Sequence, residues 1–237
     1  MKRPKEIRTA PKDWISLLRV SYQFLQEQGI SDLLLYGSQA MSVYMKNPLR
    51  SKDLDLLSSQ VSFRQINELA NKLSEISEVK YKTTTAQTRP FENRTMTTYA
   101  IELRVRGKPF FIEIFDKILD GRPPSILLPY AESIKHWYLD FWSPTREAVV
   151  VLRLAFRPPE GITRFNATRL NSFIRANRRS LNFKQVTNIM KEWGIENWVE
   201  NNLIQLYQRN RIRILNDNRI IQGIEGKIKA RQRAQKN

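Results

Sequence analysis

Three acidic residues have the spacing needed to share divalent cations. Asp53 and Asp55 are two residues apart in Asp-Leu-Asp-Leu-Leu, and Glu113 lies in a later apolar run. On a strand, residues two apart project from the same face, so both aspartates would face one side while the neighbouring leucines face the core. Hard cations such as Mg²⁺ prefer carboxylate oxygens, and two of them can clamp a triphosphate for an in-line displacement. The pattern predicts a metal-dependent nucleotidyl-transfer site.

The third carboxylate has two candidates in Phe-Phe-Ile-Glu-Ile-Phe-Asp, residues 110–116. Alternation along a strand puts Glu113 among apolar residues, and Asp116 at the strand's end. A charge inside an apolar strand costs a few kcal/mol unless it is paired or bound to a metal. We therefore expect Glu113 to be the third metal ligand, with Asp116 as the alternative.

A glycine and a serine follow the first apolar run, Leu-Leu-Leu-Tyr, at Gly37 and Ser38. A residue without Cβ lets backbone N–H groups approach a phosphate closely. Ser38 would then open a helix, whose N-terminus favours an anion. We expect Gly37 and Ser38 to contact the phosphates of a bound nucleotide.

The elements that must position these residues alternate between helical and strand patterns. Apolar residues recur at helical spacing from Pro11 to Gly29, and Ser62 with Gln65 has the form of a capping box that opens a helix to about residue 77. The other elements expected in the first half are strand 33–36, helix 38–46, strand 53–57, and strands at 79–84, 96–105 and 109–115, the last two joined as a hairpin.

The second half lacks strand-like runs after Gly-Arg-Pro-Pro at 121–124. Helices are expected near 130–141, 145–156, 162–178, 183–193 and 196–209, followed by a basic tail from Arg209 that would order on a partner. The fold class expected is α+β. It would comprise a catalytic domain over residues 1–129, with a mixed sheet and flanking helices, and an all-α substrate-binding domain over residues 130–237.

Composition narrows the function classes. The chain has 237 residues, no cysteine and one histidine, so thiolate and multi-histidine metal sites are excluded and any metal must take oxygen ligands. The sequence shows neither a membrane-spanning apolar run nor a secretory signal, and we expect a cytoplasmic protein.

The net charge of +17 predicts a polyanionic partner. Residues 1–129 hold 20 basic and 14 acidic residues (+6), while residues 130–237 hold 20 and 9 (+11). In the helix expected at 162–178, Arg164, Arg169 and Arg175 alternate with apolar residues and are candidates for contacts with a nucleic-acid backbone. A solvated helix face is the alternative for these arginines.

The combination of strand, Gly-Ser, helix and Asp-x-Asp resembles the nucleotidyltransferase superfamily of DNA polymerase β. Within it, Gly37-Ser38-Gln39-Ala40-Met41 with Arg50-Ser51-Lys52-Asp53-Leu54-Asp55 is most similar to the AbiEii-type (MenT-like) toxin nucleotidyltransferases. This chain departs from them by Ser38, where that subfamily has a second glycine, and by Glu113, where an aspartate is commoner.

The resemblance covers roughly residues 30–120 and implies a nucleotidyltransferase fold. It implies catalysis and Mg²⁺ or Mn²⁺ binding by Asp53, Asp55 and Glu113, with nucleotide contacts from Ser51 and Lys52 in addition to the Gly-Ser pair. Members of the superfamily transfer nucleotides onto RNA, notably tRNA ends, or onto protein.

The function expected from these observations is transfer of a nucleoside monophosphate from an NTP to an RNA acceptor, with tRNA as the first candidate. A toxin role, with an antitoxin protein as partner, is the further implication of the resemblance. The alternatives are transfer to a protein or small molecule, and a catalytically inert nucleic-acid-binding module on the same fold.

Overall fold

The structure is a computed structural model that describes residues 11–91, 94–136, 139–156 and 161–215. The chain divides into two compact units, residues 1–145 and 146–237. This division falls later than the domain boundary expected after residue 129. Residues 1–10, and the part of the predicted basic tail beyond residue 215, lie outside the described residues.

Besides two short 3₁₀-helices, Pro124–Ile126 and Leu128–Tyr130, the first unit contains three α-helices and seven strands among its described residues. In chain order they are α1 (Pro11–Glu27), β1 (Leu34–Leu35), α2 (Gly37–Ser42), β2 (Asp53–Leu57), α3 (Phe63–Ser74), β3 (Val79–Phe91), β4 (Arg94–Val105), β5 (Lys108–Phe115), β6 (Ala131–His136) and β7 (Leu139–Pro144). The helix predicted from residue 38 to 46 is therefore shorter, and the predicted capping box of Ser62 and Gln65 is confirmed at the start of α3.

Five of the strands form one mixed sheet in the order β1-β2-β5-β4-β3. The only parallel pair among them is β2 with β5, in which Asp55 lies opposite Glu113. On the other side of β5, Glu113 pairs with Ala100 of β4, which in turn pairs with Thr85 of β3. A row of paired residues thus runs from the acidic strand to the sheet edge.

One face of this sheet is the core. Leu54 and Leu56 of β2 and the alternate residues Phe110, Ile112 and Ile114 of β5 are fully buried. Helices α1 and α3 pack on this side with their apolar stripes, as the alternation in the sequence predicts. The acidic residues of β2 and β5 consequently project from the opposite face, which we call the open face.

Residues 131–144 correct one prediction. The helix expected at 130–141 is instead the β6–β7 hairpin, with Ile134 opposite Phe141. In β7, Leu139, Phe141 and Ser143 are buried while the residues between them are exposed, which is the period of a strand. The phenol of Tyr22 on α1 accepts a hydrogen bond from the Trp142 N–H at 2.8 Å, a contact between distant residues that local periodicity cannot reveal.

The second unit begins with α4 (Arg146–Leu154) and continues with α5 (Arg164–Ala176), α6 (Phe183–Glu192) and α7 (Glu196–Asn210). The side chains of Thr163 and Asn182 cap α5 and α6, respectively. Inside the unit, the Asn202 amide donates to the Leu154 carbonyl at 2.9 Å, which joins α7 to the end of α4. Within the described residues, none of the helices is long and apolar enough to cross a membrane.

Candidate metal and nucleotide site

The carboxylates of Asp53, Asp55 and Glu113 converge on the open face. One oxygen from each lies within 4.8 Å of the others, and all three side chains are half-buried. The convergence follows from the parallel pairing of β2 and β5. This pairing puts Asp55 directly opposite Glu113, and Asp53 lies two residues before Asp55 on the same face. Residues distant in sequence thereby form one oxygen-lined cluster with three negative charges.

Gly37 lies against this cluster. Its φ angle is +61°, and a Cβ added there would stand 1.6 Å from the Asp55 Oδ2 atom. Both the backbone conformation and the close approach require glycine at this position. The Gly37 backbone therefore occupies one side of Asp55 and limits where its carboxylate can lie. Because α2 has only six residues, its dipole contributes less to anion binding than the sequence pattern suggests.

Asp53 is held by a buried polar network. The Ser51 hydroxyl donates to Asp53 Oδ1 at 2.5 Å and accepts from Gln39 Nε2 at 2.7 Å. The same Gln39 amide also donates to the Asp53 carbonyl at 2.5 Å. Ser38 Oγ lies 3.3 Å from Ser51 Oγ, completing the group.

These contacts give Ser38 and Ser51 a positioning role. Ser38 is 7% exposed and Ser51 is 2% exposed. Their predicted contacts with a nucleotide stay predictions. The sequence offers no signal for Gln39, because a glutamine after Gly-Ser has no characteristic spacing. Its importance arises from burial: the side chain is 1% exposed and reaches from α2 to Ser51 and to β2.

Burial raises the pKa of Glu113, and the nearby charge of Asp53 raises it further. The charges of Lys52 and Arg89 act in the opposite direction and lower it. Lys52 was among the predicted nucleotide contacts, whereas Arg89 on β3 was not. The sequence gives no local signal for Arg89, because its position depends on strand pairing across the sheet.

Asp116, the alternative third ligand, lies elsewhere. Its Oδ1 atom accepts from the Thr97 N–H at 2.6 Å, and its own N–H donates to the Thr97 carbonyl at 3.0 Å. Lys117 lies 3.7 Å from its other oxygen. Asp116 therefore joins the end of β5 to β4, and the acidic cluster contains Glu113 instead.

The arginines predicted to contact nucleic acid all lie on α5. Arg164 and Arg175 are exposed and eleven residues apart, which places them on the same side of the helix. Arg169 points to a different side, is half-buried, and has its guanidinium carbon 4.4 Å from the centre of the Phe165 ring. Their contacts with a nucleic acid stay predictions.

Comparisons with known proteins give structural matches only. No protein family and no curated protein matches the sequence. Among solved structures, JHP933 from Helicobacter pylori aligns over 97% of this chain and 100% of its own at 11% identity and a TM-score of 0.48.

Two further solved structures are similar to this chain. An antigenic nucleotidyltransferase-like protein from Paracoccidioides brasiliensis aligns over 86% of this chain and 92% of its own, at 15% identity and a TM-score of 0.46. The antibiotic-resistance factor ANT(2'')-Ia aligns over 77% and 91%, at 10% identity and a TM-score of 0.48. At such values the matches carry no argument about the activity of this chain.

Proposed function

We propose that this protein is a metal-dependent nucleotidyltransferase that moves a nucleoside monophosphate from an NTP to an RNA acceptor, with tRNA as the first candidate. The observation that carries the proposal is the convergence of Asp53, Asp55 and Glu113 beside the Gly37 backbone. Structural roles alone do not account for three clustered carboxylates, because their mutual repulsion opposes folding.

The cluster fits Mg²⁺ or Mn²⁺ by the chemistry of its donors. Its ligand atoms are carboxylate oxygens from two adjacent strands, which hard divalent cations prefer. When bound, such cations neutralise the charge that develops on a triphosphate during an in-line displacement.

The protein's own residues would hold and orient the reactants. The hydrogen bond from the Ser51 hydroxyl goes to Asp53 Oδ1 and helps to orient the carboxylate. It does not involve the other carboxylate oxygen, Oδ2. Gly37 leaves room for Asp55 beside it, and Lys52 supplies a positive charge on the side of Glu113. In the reaction, an acceptor hydroxyl gives its proton to solvent and forms a bond to the α-phosphorus, while the bond from the α-phosphorus to pyrophosphate breaks and pyrophosphate leaves with the electron pair.

The net charge supports a nucleic-acid acceptor over a cationic small molecule. A chain of charge +17 attracts phosphate backbones and repels cations such as aminoglycosides. An RNA acceptor and an NTP donor agree with a cytoplasmic location. Transfer to a protein acceptor, and an inert nucleic-acid-binding module, are the competing functions.

A toxin role extends the proposal through the resemblance of the Gly37–Asp55 segment to the AbiEii-type enzymes. Such a protein would modify cellular RNA and arrest growth unless an antitoxin protein bound it. Induced expression of the wild-type chain should then arrest growth, and expression of Asp53→Asn should not. If both chains arrested growth equally, the toxicity would not depend on the proposed transfer reaction.

The direct test supplies each NTP, labelled on the α-phosphate, with total tRNA and Mg²⁺ or Mn²⁺. Label should appear in RNA with one preferred NTP, whereas γ-labelled NTP should leave RNA unlabelled. Asp53→Asn and Asp55→Asn should each remove nearly all transfer while the chain stays folded, because each loses a ligand charge and keeps its strand packing.

The three candidate functions give different results in this assay. Label that moves to protein in the absence of RNA would favour the protein-acceptor alternative. RNA binding without any transfer would favour the inert module. Wild-type turnover in either aspartate variant would contradict the metal-site proposal.

A further inference from the structure

The β3–β4 hairpin extends past the strand that carries Glu113. Pairing between β4 and β5 ends at Thr98 with Phe115, but β3 and β4 continue pairing to Phe91 with Arg94. We call these four additional pairs, residues 88–91 with 94–97, the overhang. It stands at the edge of the sheet, at the end of β5.

Arg89 in the overhang projects from the open face. The strand register is shifted between Tyr81 and Thr83, and after this bulge the odd-numbered residues of β3 lie on the same face as Glu102. Thr85 pairs with Ala100, the partner of Glu113, so Thr85 and Arg89 share the face of the acidic cluster. Arg89 is exposed, and its charge reaches Glu113.

Among the described residues, the surface between Arg89 and Glu113 carries no acidic side chain; Thr85 and Gln87 on it are exposed, and Thr98 and Ala100 are half-buried. Ala100, between Glu113 and β3, contributes only a methyl group to this face and is half-buried. The described residues of the hairpin from Thr84 to Ala100 include Arg89 and Arg94 and no aspartate or glutamate. Such a surface suits an anionic group next to the cluster.

The overhang is attached to the end of β5. The Thr97 N–H donates to Asp116 Oδ1 at 2.6 Å, and Lys117 Nζ donates to the Thr95 carbonyl at 2.6 Å. These bonds hold β4 beyond the last pair that it makes with β5. They fix the base from which Arg89 projects, and they give Asp116 a role apart from metal binding.

An in-line displacement requires the attacking and leaving groups to lie on opposite sides of the phosphorus. On the β2 side of the cluster, the Gly37 backbone packs against Asp55. On the β4 side, the residues of the edge strand β3 on the same face, Thr85, Gln87 and Arg89, are exposed. If the triphosphate contacts Gly37 and Ser38, as the sequence pattern predicts, the acceptor approaches from the other side, over Ala100 from β3.

We propose that the open face of the β3–β4 hairpin is the acceptor surface, and that Arg89 contacts a phosphate of the acceptor strand beside the attacked hydroxyl. The proposal rests on the proposed function, and on the predicted phosphate contacts of Gly37 and Ser38 for the side on which the NTP binds. Arginine suits this position because its planar guanidinium can bind two phosphate oxygens together.

The test compares Arg89→Ala with Arg104→Ala. Arg104 is also exposed and on the open face, but it pairs with Pro109 at the opposite end of the hairpin. The probe is a fluorescent single-stranded RNA of mixed sequence, titrated at several salt concentrations. Arg89→Ala should lower the slope of log affinity against log salt by about 0.7, the value for one lost phosphate contact on a single strand. Arg104→Ala should leave the slope unchanged.

Kinetics with tRNA and the preferred NTP provide the second measurement. Arg89→Ala should raise KM for tRNA several-fold and leave KM for the NTP within about twofold. Arg89→Lys should retain the salt slope, since it keeps the charge, and recover part of the loss in KM. Melting temperatures of all variants check that the exposed substitutions leave the fold intact.

Two results would overturn the acceptor surface. Equal losses in Arg89→Ala and Arg104→Ala would indicate general electrostatic attraction, and a rise in KM for the NTP alone would assign Arg89 to the triphosphate. Either result would leave the transfer reaction itself standing. Conversely, absence of transfer by the wild type together with the expected slopes would refute the proposed reaction and retain the RNA surface.

Discussion

Gly37 controls the position of the Asp55 carboxylate. Replacement by alanine places a Cβ where Asp55 Oδ2 now lies and also requires a φ of +61° from a residue that avoids it. We expect Gly37→Ala to displace the carboxylate and to reduce transfer at least about 100-fold, the usual consequence of an error of 1 Å in a catalytic group. The measurement is kcat/KM with labelled NTP and tRNA.

Gly194→Ala is the matched control for this prediction. Gly194 has the same φ of +61°, but an added Cβ there would have no neighbour within 4 Å. Both variants should lose some stability from backbone strain, and only Gly37→Ala should lose activity. Similar activity losses in the two would assign the effect to general destabilisation.

Glu113 provides a pH-dependent test of the cluster. Its pKa is raised in the folded state, so its contribution to stability is fully present below the unfolded pKa and is lost as pH rises through the folded pKa. In chelator, the melting temperature of Glu113→Gln should therefore fall less than that of the wild type as pH rises from the ordinary glutamate range to neutrality. Thermal melts across this range measure the difference.

The same substitution tests metal binding. Divalent cations should raise the melting temperature of the wild type, because they bind the folded cluster and relieve its repulsion. Glu113→Gln should show a smaller rise, while Asp116→Asn, outside the cluster, should keep the wild-type rise. If Asp116→Asn alone lost the metal effect, Asp116 would be the ligand. A full response in both would limit the site to Asp53 and Asp55.

The acidic cluster could be predicted because its signals are local. Alternation within β2 and β5 determines which face each carboxylate occupies, and the buried residues Leu54, Leu56, Phe110, Ile112 and Ile114 identify the other face. Gln39 and Arg89 could not be predicted in this way. The contacts of Gln39 come from the packing of α2 on β2, and the face of Arg89 depends on a bulge seven residues earlier that reverses the alternation.

At the scale of elements, Tyr22 joins α1 to both β1 and β7. Its hydroxyl donates to the Leu33 carbonyl at 3.0 Å and accepts from the Trp142 N–H, and burial raises its pKa to about 12. Tyr22→Phe would leave both backbone groups without this partner. We expect a loss of about 1–3 kcal/mol in the free energy of unfolding, measured by denaturant titration.

Alkaline unfolding gives an independent check on Tyr22. Because its folded pKa lies above the usual value of 10, its contribution is complete below about pH 10 and is lost as pH rises towards 12. The stability difference between wild type and Tyr22→Phe should shrink over that interval. A difference that does not depend on pH would indicate that the hydroxyl contributes only through packing.

The β6–β7 hairpin, expected as a helix, depends on contacts that local periodicity does not reveal. Leu-Asp-Phe-Trp-Ser, residues 139–143, alternates in the manner of a strand, but the segment is short. Its strand conformation is stabilised by the partner strand and by the Trp142 N–H bonded to Tyr22, 120 residues away in sequence. Sequence periodicity is weakest where such distant contacts decide the conformation.

For the whole molecule, the distribution of charge can be read from the sequence more directly than the domain boundary. The compact units divide after residue 145, because the β6–β7 hairpin belongs with the first. The excess of basic residues in residues 130–237 is read directly from the sequence, and Arg164 and Arg175 are exposed on one side of α5. Arg169 lies over Phe165, so part of its guanidinium is already in contact with a ring.

These arginines permit a test that separates a local RNA surface from net charge. Arg164→Gln with Arg175→Gln removes two charges from α5, and Lys184→Gln with Lys191→Gln removes two exposed charges from α6. If α5 contacts RNA, only the first pair should lower the slope of log affinity against log salt, by about 1.4 for two phosphates on a single strand.

Adding Arg169→Gln should lower the slope less than either of the other arginine substitutions, because Arg169 is half-buried. Equal slopes for the two double variants would remove α5 from the account of RNA binding and leave the β3–β4 hairpin as the proposed acceptor surface.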